Sequence, residues 1–195
     1  MILGSHNSLS YLPVRKWWMK PLAFTAMCQR VDIKSQYDLG VRCFDIRVRY
    51  DMDGNLIVAH GIIEYAIKEY ELLRLLSWID TKGDCMVRVL NEVRTKKQRT
   101  EKERAQFRIF CSSIAMNFRN IRFWCGRNLY DWQEDFDFGF YPSCEEKYAS
   151  VCSPKLIDDW WPFWFAKFNN KQILKDGSKA DVLLMDFIDI NSSKL

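Results

Sequence analysis

Short apolar runs rich in β-branched residues recur along the chain and constrain its fold more than any other feature. They cover 1–3, 43–48, 56–59, 85–90, 121–125 and 182–187, and their length and composition predict strands. Between several of them, apolar side chains recur at helical spacing, which predicts helices over 67–79, 100–118 and 158–174. Strands that alternate with helices indicate parallel βα units and an α/β fold.

A polar residue stands at or just after the C-terminal end of several predicted strands. These residues are His6, Arg47, His60, Glu92 and Asp186. In a β/α barrel the C-terminal ends of the strands meet at one rim, where the functional groups lie. We therefore expect a single domain over residues 1–195 with the fold of a minimal, distorted TIM (β/α) barrel, since a full eightfold barrel typically needs about 250 residues.

Composition places the chain among ordinary globular proteins, with 48% hydrophobic and 28% charged residues. No apolar run approaches the roughly 20 residues that cross a bilayer, and the N-terminus lacks the basic and apolar regions of a secretory signal. We therefore expect a cytoplasmic protein, at most peripheral to a membrane.

The net charge of +4 is compatible with an anionic substrate or a membrane surface. We expect no nucleic acid partner, and the sequence predicts no oligomeric state.

Cysteine and histidine usage bears on metal binding. Seven cysteines are scattered without a Cys-x-x-Cys pair, which indicates reduced and mostly buried thiols. The chain has only two histidines, His6 and His60, and they lie far apart in the sequence with no paired cysteines beside them. This spacing does not match a zinc site, so we expect none.

The two histidines form a chemically meaningful set with Asp45 and Arg47. Because Asp45 and Arg47 lie two apart on a predicted strand, their side chains point to the same face. An imidazole can hold or release a proton near neutral pH, and a guanidinium is a permanently charged fork of hydrogen-bond donors. These groups together are suited to proton transfer around a phosphate.

Three motifs in the first part of the chain resemble the X domain of phosphatidylinositol-specific phospholipase C. They are Gly-Ser-His-Asn-Ser at 4–8, Gln-Tyr-Asp-Leu-Gly-Val-Arg-Cys-Phe-Asp-Ile-Arg at 36–47 and His-Gly at 60–61, in the order and spacing of that family. Val-Leu-Leu-Met-Asp-Phe at 182–187 resembles the last barrel strand of the bacterial enzymes, which carries a catalytic aspartate. The resemblance covers residues 1–92 and this final strand.

The resemblance implies a distorted TIM barrel that cleaves a phosphodiester through a cyclic phosphate, whose opening by water is an optional second step. It also implies a role for each matched residue. His6 is the general base on the attacking inositol hydroxyl, and His60 is the general acid on the leaving alkoxide. Arg47 holds the non-bridging oxygens of the phosphate. Asp186 pairs with His6 and raises its basicity, while Asp45 sits beside the attacking hydroxyl or orients the site.

Arg47 also bears on cofactor use. The calcium-dependent eukaryotic members carry Glu-x-Asp where this chain has Asp45, Ile46 and Arg47, and a guanidinium repels a cation. The resemblance therefore implies a metal-independent, bacterial-type site without a cofactor. Asn7 departs from this pattern, because the bacterial members have an aspartate there that assists the general acid. As an alternative, Asn7 and Glu92 form a partial Ca²⁺ site.

Substrate contacts are also implied by the resemblance. Glu146 and Tyr148 resemble an Asp-x-Tyr motif that contacts the inositol ring in bacterial members, and Arg127 matches a basic inositol contact. We add Asn7 and Glu92 to this set of expected substrate-binding residues. The expected partner is a phosphodiester substrate, with a phosphoinositide at a membrane surface as the candidate.

Other functions fit parts of the same pattern. One is a metal-dependent glycerophosphodiesterase or sphingomyelinase D-like enzyme, although Arg47 occupies the place of a metal ligand. Others are a phosphodiesterase for a soluble non-lipid ligand, and a weakly catalytic module that binds a phospholipid or inositol phosphate.

The pair Trp17 and Trp18 is either an interfacial anchor or part of a packed loop. Pro21 and the apolar residues after it favour the packed loop.

Overall fold

The computed structural model of the chain describes residues 1–51, 53–92, 101–126, 138–140, 161–176 and 181–190. These ranges contain eight strands, namely β1 (Ile2–Ser5), β2 (Cys43–Tyr50), β3 (Leu56–His60), β4 (Ile63–Glu64), β5 (Met86–Asn91), β6 (Arg122–Gly126), β7 (Phe138–Phe140) and β8 (Val182–Met185). The α-helices of the same described residues are α1 (Ile33–Asp38), α2 (Glu69–Asp80), α3 (Glu101–Asn117) and α4 (Pro162–Asp176), and two 3₁₀ helices there cover Trp17–Thr25 and Ile188–Ile190.

Comparison of these bounds with the predicted ranges confirms the main elements. All six predicted strands are present, each within two residues of its predicted ends. Helices α2, α3 and α4 correspond to the three predicted helices. The sequence patterns missed α1, the 3₁₀ helix over Trp17–Thr25 and the short strands β4 and β7. In the described ranges, no helix is both long enough and apolar enough to cross a membrane.

The strands form one mixed sheet. Six of them run parallel in the order β7-β8-β1-β2-β5-β6, as the alternation of strands and helices predicts. The other two, β3 and β4, form an antiparallel ribbon on the end of β2. Within the described residues, β6 and β7 do not pair with each other and the sheet is not closed. The fold class α/β is therefore confirmed, whereas the closed barrel stays a prediction.

The outer face of the parallel strands carries the main hydrophobic core. Phe44 and Val48 of β2 pack there with Val87 of β5, and buried side chains of α2 and α3 cover them. Because successive side chains of a strand point to opposite faces, this packing directs the alternate residues Asp45 and Arg47 to the inner face. Each fully buried aliphatic or aromatic side chain contributes about 1.5–3 kcal/mol, so the core fixes the register of the polar residues.

A smaller apolar cluster fills part of the inner face. Its buried members are Cys43, Met86, Leu90, Val182 and Leu184. Gly4 of β1 lies against this cluster, and a Cβ on Gly4 would stand 2.5 Å from Leu184 Cδ2 and 3.2 Å from Cys43 Cβ. Only glycine allows β1 to approach so closely, and this approach sets the place from which His6 emerges two residues later.

Candidate active site

The pairing of β1 with β8 brings the two ends of the chain together at the site. Ser5 and Met185 are partners in this parallel pairing, so the next residues along each strand, His6 and Asp186, are neighbours. His6 Nδ1 lies 2.6 Å from Asp186 Oδ1, and both residues are buried. The two other carboxylates of this region lie elsewhere, since Asp181 is exposed and Asp189 pairs with Arg30.

The hydrogen bonds of His6 define its tautomer. Arg47 Nη2 lies 2.6 Å from His6 Nε2, and a guanidinium can only donate. His6 Nε2 must therefore accept, so the ring proton sits on Nδ1 and is donated to Asp186. The imidazole is neutral and presents a basic lone pair on Nε2, and in this structure the guanidinium of Arg47 covers that lone pair.

Asp45 is fully buried between two guanidinium groups. Its Oδ2 accepts hydrogen bonds from Arg47 Nε and from the Asn7 backbone N–H, both at 3.0 Å, and its Oδ1 lies 3.5 Å from Arg88 Nη1. Burial alone would raise the pKa of this carboxyl, but the charges of Arg47 and Arg88 outweigh burial and hold the pKa of Asp45 well below its usual range. Asp45 is thus a fixed charge that orients Arg47.

Glu92 completes the surroundings of Arg47. Its Oε2 lies 3.5 Å from Arg47 Nη1, and its Oε1 accepts a hydrogen bond from the Gly61 backbone N–H at 2.8 Å. Burial of Arg47 disfavours its charge, but the two carboxylates of Asp45 and Glu92 outweigh this effect and raise the pKa of Arg47 above its usual value. The guanidinium is therefore charged at all working pH values.

His60 approaches His6 from the antiparallel ribbon. The two ring centroids are 5.6 Å apart and the rings are nearly perpendicular. Nδ1 of His60 lies 3.0 Å from the carbonyl oxygen of Ala26, which can only accept, so Nδ1 carries a proton. Burial and the positive charge of Arg47 lower the pKa of His60 to about 4. In this state His60 is neutral, with the lone pair on Nε2.

The route by which His60 reaches the site differs from the prediction. The sequence interpretation placed His60 at the C-terminal end of a parallel strand, on the same rim as Arg47. The strand β3 instead runs antiparallel to β2 and carries His60 back along it. The prediction of a parallel strand was wrong because the short turn between the two strands permits a hairpin, whereas a parallel connection needs a dozen or more residues.

The segment from Ala26 to Gln29 holds the site together and was missed by the sequence patterns. The Ala26 carbonyl accepts hydrogen bonds from His60 Nδ1 and from the Tyr65 hydroxyl at 2.9 Å. The buried Gln29 donates through Nε2 to the carbonyls of His6 and Met185, at 3.1 and 2.7 Å. One short loop therefore contacts the strand ends that carry His6 and Asp186, and also the ring of His60.

A second buried amide supports Asp186 from the helix side. Asn170 of α4 donates through Nδ2 to the backbone carbonyl of Asp186 at 2.7 Å, and it is almost fully buried. An asparagine inside a helix gave no signal in the sequence, because polar residues of helices usually face solvent. Its burial beside a strand end becomes visible only in the three-dimensional structure.

Backbone strain occurs next to both members of the His6–Asp186 pair. Among the described residues, the non-glycine residues with positive φ are Asn7, at +43°, and Phe187, at +46°. This left-handed region is unfavourable for residues with a Cβ and tends to persist where the surroundings enforce it. Here the Asn7 N–H is held by Asp45, and the Phe187 N–H donates to the Cys28 carbonyl at 2.6 Å.

The other expected substrate-binding residues have mixed outcomes. The side chain of Asn7 is fully buried, and its Nδ2 lies 3.5 Å from the Ala26 carbonyl. Glu92 lies at the site as described above. Arg127, Glu146 and Tyr148 lie outside the residues that the structure describes, so their roles stay predictions.

Metal-binding potential also differs from the sequence argument. In the described part of the chain, a single group of three His, Cys, Asp or Glu side chains could share an ion, namely His6, Cys28 and His60, whose ligand atoms lie within 4.8 Å of one another. The fold brings together two histidines that lie far apart in the sequence and places a cysteine beside them, and the absence of a metal stays a prediction. Asn7 and Glu92, the expected partial Ca²⁺ site, are not part of this group.

Exposed apolar side chains lie on the 3₁₀ helix that precedes Ala26. Trp17 and Trp18 are 74% and 57% exposed, and Leu22 and Phe24 are exposed as well. Trp161, also exposed, contacts Phe24 with ring centroids 4.8 Å apart. We call these five residues the aromatic patch. The prediction of a packed loop for the two tryptophans was wrong, since the ordered 3₁₀ helix turns their side chains outward.

Comparison with solved structures identifies the fold. The chain is similar to the phosphatidylinositol-specific phospholipase C from Listeria monocytogenes, with a TM-score of 0.62 and 14% identity over 100% of this chain and 93% of that one. A mutant of the Staphylococcus aureus enzyme gives a TM-score of 0.63 and 16% identity over 95% and 84%. The chain has the fold of these enzymes. No protein-family model matches the sequence, and neither does any curated protein.

Proposed function

We propose that the protein is a phosphodiesterase of the phosphatidylinositol-specific phospholipase C type, which cleaves a phosphoinositide-like diester through a cyclic phosphate without a metal. The observation that carries the proposal is the arrangement around His6. Its Nδ1 pairs with Asp186, its Nε2 accepts from Arg47, and its ring lies 5.6 Å from that of His60. The likeness of the fold to bacterial enzymes of this type adds support.

In the proposed first step, an anionic phosphate draws Arg47 away from His6. The freed Nε2 lone pair of His6 then accepts the proton of a substrate hydroxyl as its oxygen bonds to phosphorus. The imidazolium that forms is stabilised by the carboxylate of Asp186, 2.6 Å away. The guanidinium of Arg47 holds the non-bridging oxygens, where negative charge increases.

Departure of the leaving group requires a proton donor on the other side of the phosphorus. We assign this role to His60, which protonates the leaving oxygen as the phosphorus–oxygen bond breaks. His60 is neutral without substrate, because burial and the positive charge of Arg47 lower its pKa to about 4. A bound phosphate anion offsets the charge of Arg47 and favours the imidazolium that the step needs. In a second step the roles reverse and water opens the cyclic phosphate.

The remaining site residues have supporting roles in this proposal. Asp45 orients Arg47, and Glu92 is proposed to contact the substrate. Asn7, whose side chain is fully buried, is proposed to act through its backbone N–H bond to Asp45. Arg127, Glu146 and Tyr148 are proposed to contact the ring of the substrate. We also propose that the sheet is the wall of a minimal, distorted TIM barrel, as the likeness to the bacterial enzymes supports.

The aromatic patch favours a substrate presented at a membrane. The 3₁₀ helix that carries most of the patch ends at Thr25, directly before Ala26, whose carbonyl contacts His60. Aromatic side chains insert well at the headgroup level of a bilayer. We expect the double substitution of Trp17 and Trp18 by alanine to weaken sedimentation with anionic lipid vesicles. Replacement of the exposed Tyr70 of α2 by alanine is the matched control. Equal binding of all three proteins would exclude this orientation.

The experiment that tests the proposed function is turnover of a phosphoinositide in the presence of EDTA. We expect activity in EDTA, and a loss of about 10²–10⁴-fold in kcat for His6→Ala and for His60→Ala, the usual contribution of a general base or acid. Unchanged activity in both variants would refute the assignment. Activity that requires a divalent cation and acts on glycerophosphodiesters would favour the metal-dependent class. Binding without turnover would favour a phospholipid-binding module.

A further inference from the structure

Cys28 is a buried thiol that the proposed reaction does not use. It lies on the loop between the 3₁₀ helix and α1, and its Sγ is 3.8 Å from His60 Nδ1. One ring nitrogen of His6, one of His60 and this sulfur lie within 4.8 Å of one another. Three such atoms around one point are a soft donor set, of the kind that binds Zn²⁺ and other late transition metals rather than Ca²⁺.

One of the two imidazoles already has the orientation of a metal ligand. A histidine that binds a metal usually donates its other ring N–H to a carboxylate or a backbone carbonyl, which fixes the ring. His6 donates from Nδ1 to Asp186, which leaves Nε2 for a metal. His60 differs, because the sulfur of Cys28 lies 3.8 Å from its Nδ1, and this Nδ1 donates to the Ala26 carbonyl. Metal binding through Nδ1 therefore requires that the ring proton of His60 moves to Nε2 and that the bond to Ala26 breaks.

The local charge also suits a divalent cation bound together with the Cys28 thiolate. Asp45 and Glu92 pair with the guanidinium groups of Arg47 and Arg88, and Asp186 pairs with His6. Three carboxylates and two guanidinium groups leave one excess negative charge when the imidazoles are neutral. A Cys28 thiolate adds one more, so a divalent cation would neutralise the set. Arg47 opposes metal binding, since its Nη2 occupies His6 Nε2 at 2.6 Å. The guanidinium must turn toward its carboxylate partners when a metal binds.

We propose that His6, Cys28 and His60 form an inhibitory binding site for Zn²⁺ or a similar soft divalent cation. The Cys28 thiol releases its proton to solvent when it binds, and a water molecule takes the fourth coordination position. Inhibition follows because the two imidazoles that would exchange protons with the substrate then bind the metal. This consequence for activity rests on the proposed function, whereas metal binding itself does not.

Cobalt(II) provides the direct test of binding, since a thiolate ligand gives an intense charge-transfer absorption in the near ultraviolet that nitrogen and oxygen ligands do not. We expect this absorption for the wild-type chain and for Cys111→Ser, the matched control on α3. Cys28→Ser should lose the absorption. Its zinc affinity should fall by at least the roughly 10–100-fold that loss of a second-shell partner costs. Absence of the absorption in the wild type, or its persistence in Cys28→Ser, would overturn the proposal.

A second variant keeps the test decisive if Cys28→Ser folds poorly. His60→Gln retains the thiolate but loses one imidazole, so we expect zinc affinity to fall while circular dichroism stays unchanged. Wild-type affinity in a folded His60→Gln protein would contradict the proposed ligand set.

The activity measurement separates this proposal from the proposed function. We expect zinc to inhibit phosphoinositide turnover by the wild type and by Cys111→Ser, with reversal by EDTA, and to inhibit Cys28→Ser at least about 10-fold more weakly. Turnover in EDTA without a cobalt–thiolate absorption would refute the metal site and leave the enzyme assignment standing. The cobalt–thiolate absorption without turnover under any condition would support the metal site and refute the enzyme assignment.

Discussion

Replacement of Asp186 by asparagine isolates the role of the carboxylate in the His6–Asp186 pair. The amide oxygen of asparagine can still accept from His6 Nδ1, so the geometry is retained while the charge is lost. Two opposite charges about 4 Å apart attract by about 4 kcal/mol at an effective dielectric constant of 20, a value that describes buried pairs as well as surface pairs. This attraction exists only after His6 has taken the proton of the substrate. The full value corresponds to roughly a 10³-fold lower kcat.

Steady-state kinetics on a phosphoinositide in EDTA measures the effect. We expect kcat to fall by about 10²–10⁴-fold and KM to change little, because the lost interaction forms only during proton transfer. Asp181→Asn is the matched control, since it places the same substitution at an exposed position beside the other end of β8. A loss in Asp186→Asn no larger than in Asp181→Asn would refute the reasoning.

Three further substitutions test other parts of the structure. Asp45→Asn should destabilise the protein by about 3–5 kcal/mol at pH 7, since it removes the carboxylate charge that lies between the buried guanidinium groups of Arg47 and Arg88. Because the pKa of Asp45 is depressed in the folded state, the ionised carboxylate should stabilise the protein above pH ~4, the unfolded pKa, and this stabilisation should be lost at lower pH. Urea denaturation of the wild type and of Asp45→Asn across this pH range measures it, and a difference in stability that does not depend on pH would contradict the account. Gly4→Ala should lower the free energy of unfolding by about 1–3 kcal/mol through overpacking against Leu184. Combined with Leu184→Ala, it should cost less than the sum of the two single substitutions, and a cost equal to that sum would contradict this contact. Gln29→Met should lower kcat and shift the pH profile of kcat through the placement of His6, and a change in stability alone would make Gln29 merely structural.

The sequence predicts the strands and the polar inner face well, because both follow from local rules. Alternation along β2 places Asp45 and Arg47 on one face, and the apolar run at 182–187 identifies β8. The motifs that resemble phospholipase C also predicted an α/β fold of this kind, and the fold of the chain is similar to that of a bacterial enzyme of this type. The pairing of β1 with β8 brings together residues from the two ends of the chain, and only the assumption of a barrel-like sheet makes this contact predictable.

The parts that could not be predicted depend on loops and on contacts distant in sequence. The loop from Ala26 to Gln29 contacts the site through backbone carbonyls and a glutamine amide, which no residue pattern identifies. Cys28 looks like any buried cysteine until the fold places it beside both histidines. The antiparallel direction of β3 depends on the geometry of a short turn, and the exposure of Trp17 depends on a 3₁₀ helix that the sequence does not indicate.

Phosphorus NMR of the reaction products tests the central claim most directly. If His6 removes the proton of a hydroxyl on the substrate itself, the first product must be a cyclic phosphate, formed in EDTA and before any acyclic monophosphate. The account predicts this order, together with loss of the cyclic signal in His6→Ala. An acyclic monophosphate as the first product, or a cyclic product that appears only with an added divalent cation, would contradict the account.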